Sequence, residues 1–263
     1  MTSASVNGTE LYFEEHGEGP PLLLVHGTGA YGDLWLPVLD GLARRFRVIS
    51  YDRRGFGRSA SSGHVRFADH ARDAAALLEL LDASPAIVVG WSGGGVVALD
   101  LAASASEHVA SLVLAEPAAH MGTHPTRSAL GMQARSSFQR YLRRDSGSAA
   151  QTMYRWVSTS TRGGNTFDKI PQDWRDQMIS NGPSTVREMN QLLRPYPSRA
   201  NIRSITCPVT LIEGELSDPA FVVADAFVRR LLPNAELIEL SGAAHFLHID
   251  QPQQWVEAVE RAR

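Results

Sequence analysis

Short apolar runs at residues 21–25, 47–51, 86–90, 110–115, 208–212 and 235–240 alternate with longer stretches at 34–44, 67–81, 96–103, 221–231 and 252–262. The longer stretches carry apolar residues three and four apart, the helical spacing. This alternation constrains the fold more than any other feature, because strands that alternate with helices build parallel βαβ units. Runs such as Leu22-Leu23-Leu24-Val25 and Ile87-Val88-Val89 are continuously apolar, as expected of a sheet covered by helices on both faces. Residues 11–15 alternate instead and predict an antiparallel edge hairpin ahead of the parallel strands. At 263 residues and 43% hydrophobic content, the chain is long enough to bury a large core.

The rhythm breaks between residues 118 and 201, where no strand candidate occurs and helix-like pieces are punctuated by Gly163-Gly164, Gly182-Pro183 and Pro195-Tyr196-Pro197. This stretch reads as a helical insertion over one end of the sheet. Trp156, Trp174, Met132, Met153 and Met178 are candidates to line its underside; equally, they would give the insertion a small core of its own.

Formal net charge is −3 with Lys and Arg scattered along the chain, so neither nucleic acid nor an anionic membrane is an expected partner. The single cysteine, Cys207, excludes an internal disulfide framework and a Cys-Cys metal site, and suits a reducing cytoplasm. The first twenty residues lack a basic start and an apolar core segment, and no later run approaches the ~18 apolar residues of a membrane span. The expectation is a soluble cytoplasmic protein, monomeric or homodimeric, that acts on a small molecule. His120 and His124 lie four apart, but Gly122 and Pro125 break any helix between them and no third ligand is near in sequence; they read as loop residues, and no metal is expected.

A literal G-x-G-x-x-G occurs at Gly27-Thr28-Gly29-Ala30-Tyr31-Gly32, directly after the first parallel strand, with Asp52 at the end of the next. That pattern satisfies the dinucleotide fingerprint. The other reading of the segment is a glycine loop whose backbone N–H groups face a developing oxyanion. Economy favours the second, since a nucleotide site leaves Ser92, Asp218 and His245 without a role.

The strand at 86–90 runs directly into Trp91-Ser92 and then into a helix that opens Gly93-Gly94-Gly95. A G-x-S-x-G between strand and helix lifts the serine on a strained turn, where neighbours two residues away have no room for a Cβ. The helix behind it contributes its positive end and the free N–H of Gly93. A serine hydroxyl is a weak nucleophile, so it needs a base and a third group to orient that base.

Four motifs stand in order: His26-Gly27-Thr28-Gly29, the DRRGFGRS segment at 52–59, the GWSGGG segment at 90–95, and the GAAHFLHIDQP segment at 242–252. In that order they resemble the α/β-hydrolase family over nearly the whole chain. The resemblance implies a mostly parallel eight-stranded sheet flanked by helices, with residues 1–117 and 202–263 as the core and 118–201 as a helical cap inserted after strand six. It also implies an oxyanion hole formed by the N–H groups of Thr28 and Gly93, and a largely structural turn at 52–59 that Asp52 and the arginines tie down. His245 takes the family's catalytic histidine position, while His248, one turn on, is expected to be a hydrogen-bonded structural residue.

Two residues compete for the acid. Asp218 is the first choice, because the family usually draws its acid from the loop after strand seven; its spacing from Gly214 is slightly longer than the plain G-x-x-D form. Glu116, at the end of strand six, is the second. Their alternative roles are an N-cap for Asp218, with Pro219 next to it, and a hinge carboxylate paired with an arginine for Glu116.

These readings predict a cofactor-free serine hydrolase of carboxylic esters or lactones of small to medium apolar molecules, with Trp91, Trp156 and Phe221 in the pocket. A serine in place of an aspartate argues against relatives of epoxide hydrolases and haloalkane dehalogenases. Hydrolytic C–C cleavage and perhydrolase or haloperoxidase-like activity use the same triad. A ligand receptor on a hydrolase scaffold is a further alternative.

Overall fold

The computed structural model describes residues 2–59, 63 and 65–262. The chain opens with a hairpin of β1 (Thr2–Val6) and β2 (Thr9–His16), joined by Asn7 and Gly8 at φ 47° and 72°. Positive φ at both central residues matches the right-handed twist of the flanking strands, which is why Asn-Gly is such a strong hairpin signal. The sequence reading anticipated the hairpin from β2 and overlooked β1.

Then follow β3 (Pro21–Val25), α1 (Leu36–Leu42), β4 (Arg47–Tyr51), α2 (Phe67–Leu80), β5 (Ala86–Trp91), α3 (Gly93–Ser104) and β6 (Val109–Ala115). The segment after β6 forms α4 (Arg127–Tyr141), α5 (Ser146–Val157), α6 (Gln172–Ser180), α7 (Gly182–Leu192) and α8 (Arg199–Arg203). The chain returns to the sheet in β7 (Val209–Gly214), α9 (Pro219–Leu231) and β8 (Glu236–Leu240), and closes with α10 (Leu247–Asp250) and α11 (Pro252–Arg261). The eight strands lie in the order β1-β2-β4-β3-β5-β6-β7-β8. β2 pairs antiparallel with β1 and β4, and every other pairing is parallel.

Side chains of the central strands divide between two apolar layers by the period-two rule. Leu23, Val25 and Val88 face the layer under α2, α3, α8 and α9, while Leu22, Leu24, Val89 and Trp91 face the layer under α1, α10 and α11. Both layers are buried, which accounts for the continuous apolar runs. The sheet is an α/β-hydrolase sheet, with α4 to α7 set over the carboxyl ends of its strands. Those helices are pinned from beneath: Asn181 Nδ2 donates to Gly29 O at 3.0 Å, Tyr154 Oη donates to Met178 O at 2.8 Å and lies 3.4 Å from Gly29 O, and Glu188 pairs with Arg53.

Candidate active site

Ser92 stands between the last residue of β5 and the first of α3 with φ 55° and ψ −118°. A non-glycine residue held there stores on the order of 1–3 kcal/mol, supported only by over-determined surroundings. Those surroundings are visible. Ser92 N donates to Ala115 O at 2.9 Å, and Gly95 and Ala118 donate back to Ser92 O. A Cβ on Gly90 would lie 2.6 Å from Gly94 O, and one on Gly94 would lie 2.1 Å from Val25 O. The glycines of the motif are thus required by the approach of β3 and α3 rather than by the serine side chain itself.

Gly93 abuts the loop after β3: a Cβ there would lie 3.1 Å from Thr28 N and 2.2 Å from Thr28 Oγ1. The N–H of Gly93 belongs to the first turn of α3 and has no partner within that helix. The Thr28 hydroxyl is buried and also lacks a partner. Thr28 thus packs its backbone nitrogen and hydroxyl against Gly93, the residue that follows Ser92. The loop is held by a buried polar frame. His26 Nε2 accepts from Arg53 N at 2.8 Å, so the neutral ring donates from Nδ1 to Gly27 O, and burial holds its pKa well below the usual histidine range. Arg53 Nη2 donates to Gly27 O at 3.1 Å, while its guanidinium grips Glu188 of α7 at 2.6 and 3.0 Å. Burial works to raise the Glu188 carboxyl, but Arg53 and a hydrogen bond from His70 outweigh it and hold it far below the carboxylate range.

His245, 1% exposed, follows β8. Its ring stacks on Phe221 at 3.7 Å between centroids, and Trp91 Nε1 donates to its carbonyl at 2.8 Å. Its Nδ1 meets Glu116 Oε2 at 2.5 Å. Glu116 is fully buried at the end of β6 with φ 45°, and its other oxygen accepts from Gly214 N at 2.8 Å. Both oxygens are thus used, one to hold the imidazole and one to lock the carboxylate to β7.

Ser92 and His245 open on a cavity of about 110 Å³ beneath α4, α5 and α7. Trp91, Trp156 and Phe221 line it, as do Met121, Met132, Met153, Met178 and Met189, five of the six methionines of the chain. Among the described residues no Asp, Glu, Lys or Arg lines it. A serine on a strained elbow and a carboxylate-held histidine that open on one cavity are the parts acyl-transfer chemistry requires.

A family model described as the alpha/beta hydrolase fold matches residues 20–252. The chain belongs to the α/β-hydrolase family. It is 31% identical over 253 residues to a pimeloyl-[acyl-carrier protein] methyl ester esterase of Chromobacterium violaceum, covering 95% of this chain and 96% of that one. It is 28% identical to a putative carbamate hydrolase RutD of Azorhizobium caulinodans, over 93% of this chain and 91% of the relative. Among solved structures, a bromoperoxidase of Bacillus anthracis superposes with a TM-score of 0.81 at 21% identity, over 99% of this chain and 98% of that one.

Within this α/β-hydrolase, Asp218 is not where the first choice of acid required. Its Oδ1 accepts from Ala220 N at 2.9 Å and from Ser128 Oγ at 3.0 Å, which makes it the N-cap of α9. The carboxylate against His245 is Glu116, and it pairs with no arginine. The longer spacing after Gly214 was the signal in the sequence, as was an acidic residue ending an otherwise apolar buried strand before Pro117. His248 also differs from expectation: both ring nitrogens lack partners, and it sits among Trp35, Trp91 and Trp255, where burial pushes its pKa down to about 3.

The Gly27–Gly32 segment is no open phosphate cradle. Asp52 is consumed by Gly32 N at 2.6 Å and Arg58 at 2.8 Å, and Tyr154 and Asn181 roof Gly29. His120 Nε2–H donates to Pro197 O at 2.6 Å, and its ring stacks on Phe227. Trp174 packs into the apolar layer beside the cavity without lining it. Met121 and Met189 are lining residues that sequence reasoning missed.

Proposed function

We propose that the chain hydrolyses carboxylic esters or lactones of small to medium uncharged molecules through an acyl-enzyme on Ser92. His245 removes the Ser92 proton, Oγ attacks the carbonyl carbon, and the tetrahedral oxyanion is received by the N–H groups of Thr28 and Gly93. Glu116 holds the imidazole by Nδ1 and offsets its charge as it becomes imidazolium. His245 then protonates the leaving oxygen, and water repeats the sequence to release the acid. No step calls on a metal or an organic cofactor. Residues 118–201 act as the cap that excludes water and selects the substrate, and the lone thiol fits work in the cytoplasm.

The observation that carries this reading is the buried 2.5 Å contact between Glu116 and His245 beside Ser92. An uncharged, methionine-rich wall supports an apolar substrate, since methionine adapts its shape to irregular groups. Multiple turnovers of p-nitrophenyl butyrate by the wild type test it, with Ser92→Ala as control. Glu116→Gln is expected to lower turnover by about 10⁴, because the amide holds the imidazole in the wrong tautomer. Asp218→Asn, remote from His245, is expected to stay within a few-fold of wild type. The reverse ranking would return the acid role to Asp218, and a single turnover followed by tight product retention would favour a receptor.

A further inference from the structure

Among the described residues, four of the ten exposed large apolar side chains lie on α4 and its C-cap. Leu130 is 56% exposed, Phe138 48%, Tyr141 63% and Leu142 74%. Leu130, Ala134, Phe138 and Tyr141 recur at helical spacing along α4, so they form one solvent-facing stripe about three turns long. The opposite side of α4 faces the cavity through Met132 and Gln133, and the stripe meets the cavity mouth at Leu130, which belongs to both. Leu193, 49% exposed, completes that rim.

Charge sets the character of this face. From residue 117 to residue 144 the sequence holds five arginines and no Asp or Glu. Residues 118–201 carry twelve Lys and Arg against five Asp and Glu, a net of +7, which leaves the remainder with thirteen against twenty-three, a net of −10. The fold of α4 sets these arginines beside the stripe: Arg127 and Arg135 along it, Arg143 and Arg144 at its end. Arg140 and Arg143 lie over the rings of Tyr141 and Phe138 at 4.8 and 5.5 Å, which leaves both cations on the apolar face. Of the neighbouring carboxylates, Asp145 caps α5 through Ser148 and feels the Arg143 charge, and Asp218 caps α9, so the arginines of this face keep an excess of positive charge.

We infer that α4 is an interfacial docking helix that seats the cavity mouth on an anionic lipid surface. A basic helix with aromatic and leucine side chains between its cations is what lies in the headgroup plane of such a surface, apolar side down. Charge complementarity selects this occupant over a second copy of the chain, because a two-fold contact through α4 would bring two arginine clusters together. The apolar rim at Leu130 and Leu193 then gives an acyl chain a path from the surface to Ser92 without crossing water.

The test is independent of the proposed chemistry and uses Ser92→Ala protein, so that vesicles stay intact. Flotation with vesicles of mixed phosphatidylglycerol and phosphatidylcholine is compared with flotation on pure phosphatidylcholine. Binding to the anionic vesicles is expected to be stronger by on the order of tenfold or more, and to weaken as salt rises toward ~0.5 M. Phe138→Ser with Leu142→Ser, and separately Arg143→Gln with Arg144→Gln, should each abolish that preference; in the Ser92 background both pairs should leave p-nitrophenyl acetate turnover within two-fold of wild type. Equal binding to both vesicles, no binding to either, or a dimer by light scattering that the Phe138 and Leu142 pair dissolves would overturn the inference.

Discussion

Removing the Glu188 carboxylate tests whether the helices over the site and the Gly27-Thr28 loop are held by one buried ion pair. Arg53 has a fully buried side chain and Glu188 one that is 4% exposed, joined at 2.6 and 3.0 Å, with His70 at 3.2 Å from the same carboxylate. In Glu188→Ala the guanidinium keeps only Gly27 O among its side-chain contacts with acceptors, and its Nε already lacks a partner. A buried charge left uncompensated costs about 3–5 kcal/mol. For a chain of this size each kcal/mol moves Tm by about 2–4 °C, so a fall of roughly 6–20 °C is expected at pH 7. The sign with pH follows from the depressed Glu188 carboxyl. Its contribution is fully present above the unfolded glutamate pKa of about 4.3 and is lost as pH falls toward the folded value. The gap between wild type and variant should therefore be flat from pH 6 to 8 and narrow below about pH 4.3. Arg53→Met with Glu188→Leu should recover most of the loss, since an apolar pair of similar volume removes both charges together. Calorimetry or thermal circular dichroism reads all three proteins. A Tm fall of less than about 2 °C for Glu188→Ala, equal at pH 4 and pH 8, would refute the reasoning.

Two further perturbations probe the site from either side. Asp225 is buried with both carboxylate oxygens unpartnered, and burial, then Glu116 and Glu213, push its pKa well above the usual range. The folded state thus holds a proton that the unfolded state releases, and stability falls by up to about 1.4 kcal/mol per pH unit above pH ~4; urea titrations should show Asp225→Asn near wild type at pH 5 and more stable at pH 8, and a variant less stable than wild type at pH 8 would contradict the assignment. Gly29 has φ +79°, and a Cβ there would lie 2.1 Å from Tyr154 Oη. Gly29→Ala should displace the loop that bears Thr28 and lower kcat/KM by on the order of 10², with little effect on far-ultraviolet circular dichroism; activity within three-fold of wild type would show that the loop tolerates the shift.

What was legible in the sequence was local. The strand alternation and the elbow at Ser92 each depend on a few consecutive residues whose periodicity or lack of a Cβ dictates backbone shape. The elbow is the clearest case, since β5, Ser92 and α3 lie within twenty consecutive residues and the glycines that permit it are adjacent in the chain. The acid was different. Glu116 and His245 are 129 residues apart, and both acid candidates occupy strand-end loops of suitable chain order, so motif position alone ranked Asp218 first.

Tertiary structure decided that choice through the parallel register of β6 and β7, which sets Gly214 N against one Glu116 oxygen, and through the positive φ that turns the other toward His245. It also decided which methionines face the cavity, because α4, α5 and α7 carry apolar residues on more than one side and only their packing selects among them. The arginines between residues 127 and 144 are a basic run already in the sequence, and only the fold of α4 sets them beside its apolar stripe. Backbone form answers to neighbours a few residues away, whereas the meeting of functional side chains answers to contacts between distant segments. The sequence by itself therefore determined the sheet, the elbow at Ser92 and the family, and the folded chain determined which carboxylate meets His245, which side chains wall the cavity and where the arginines of α4 sit relative to its apolar stripe.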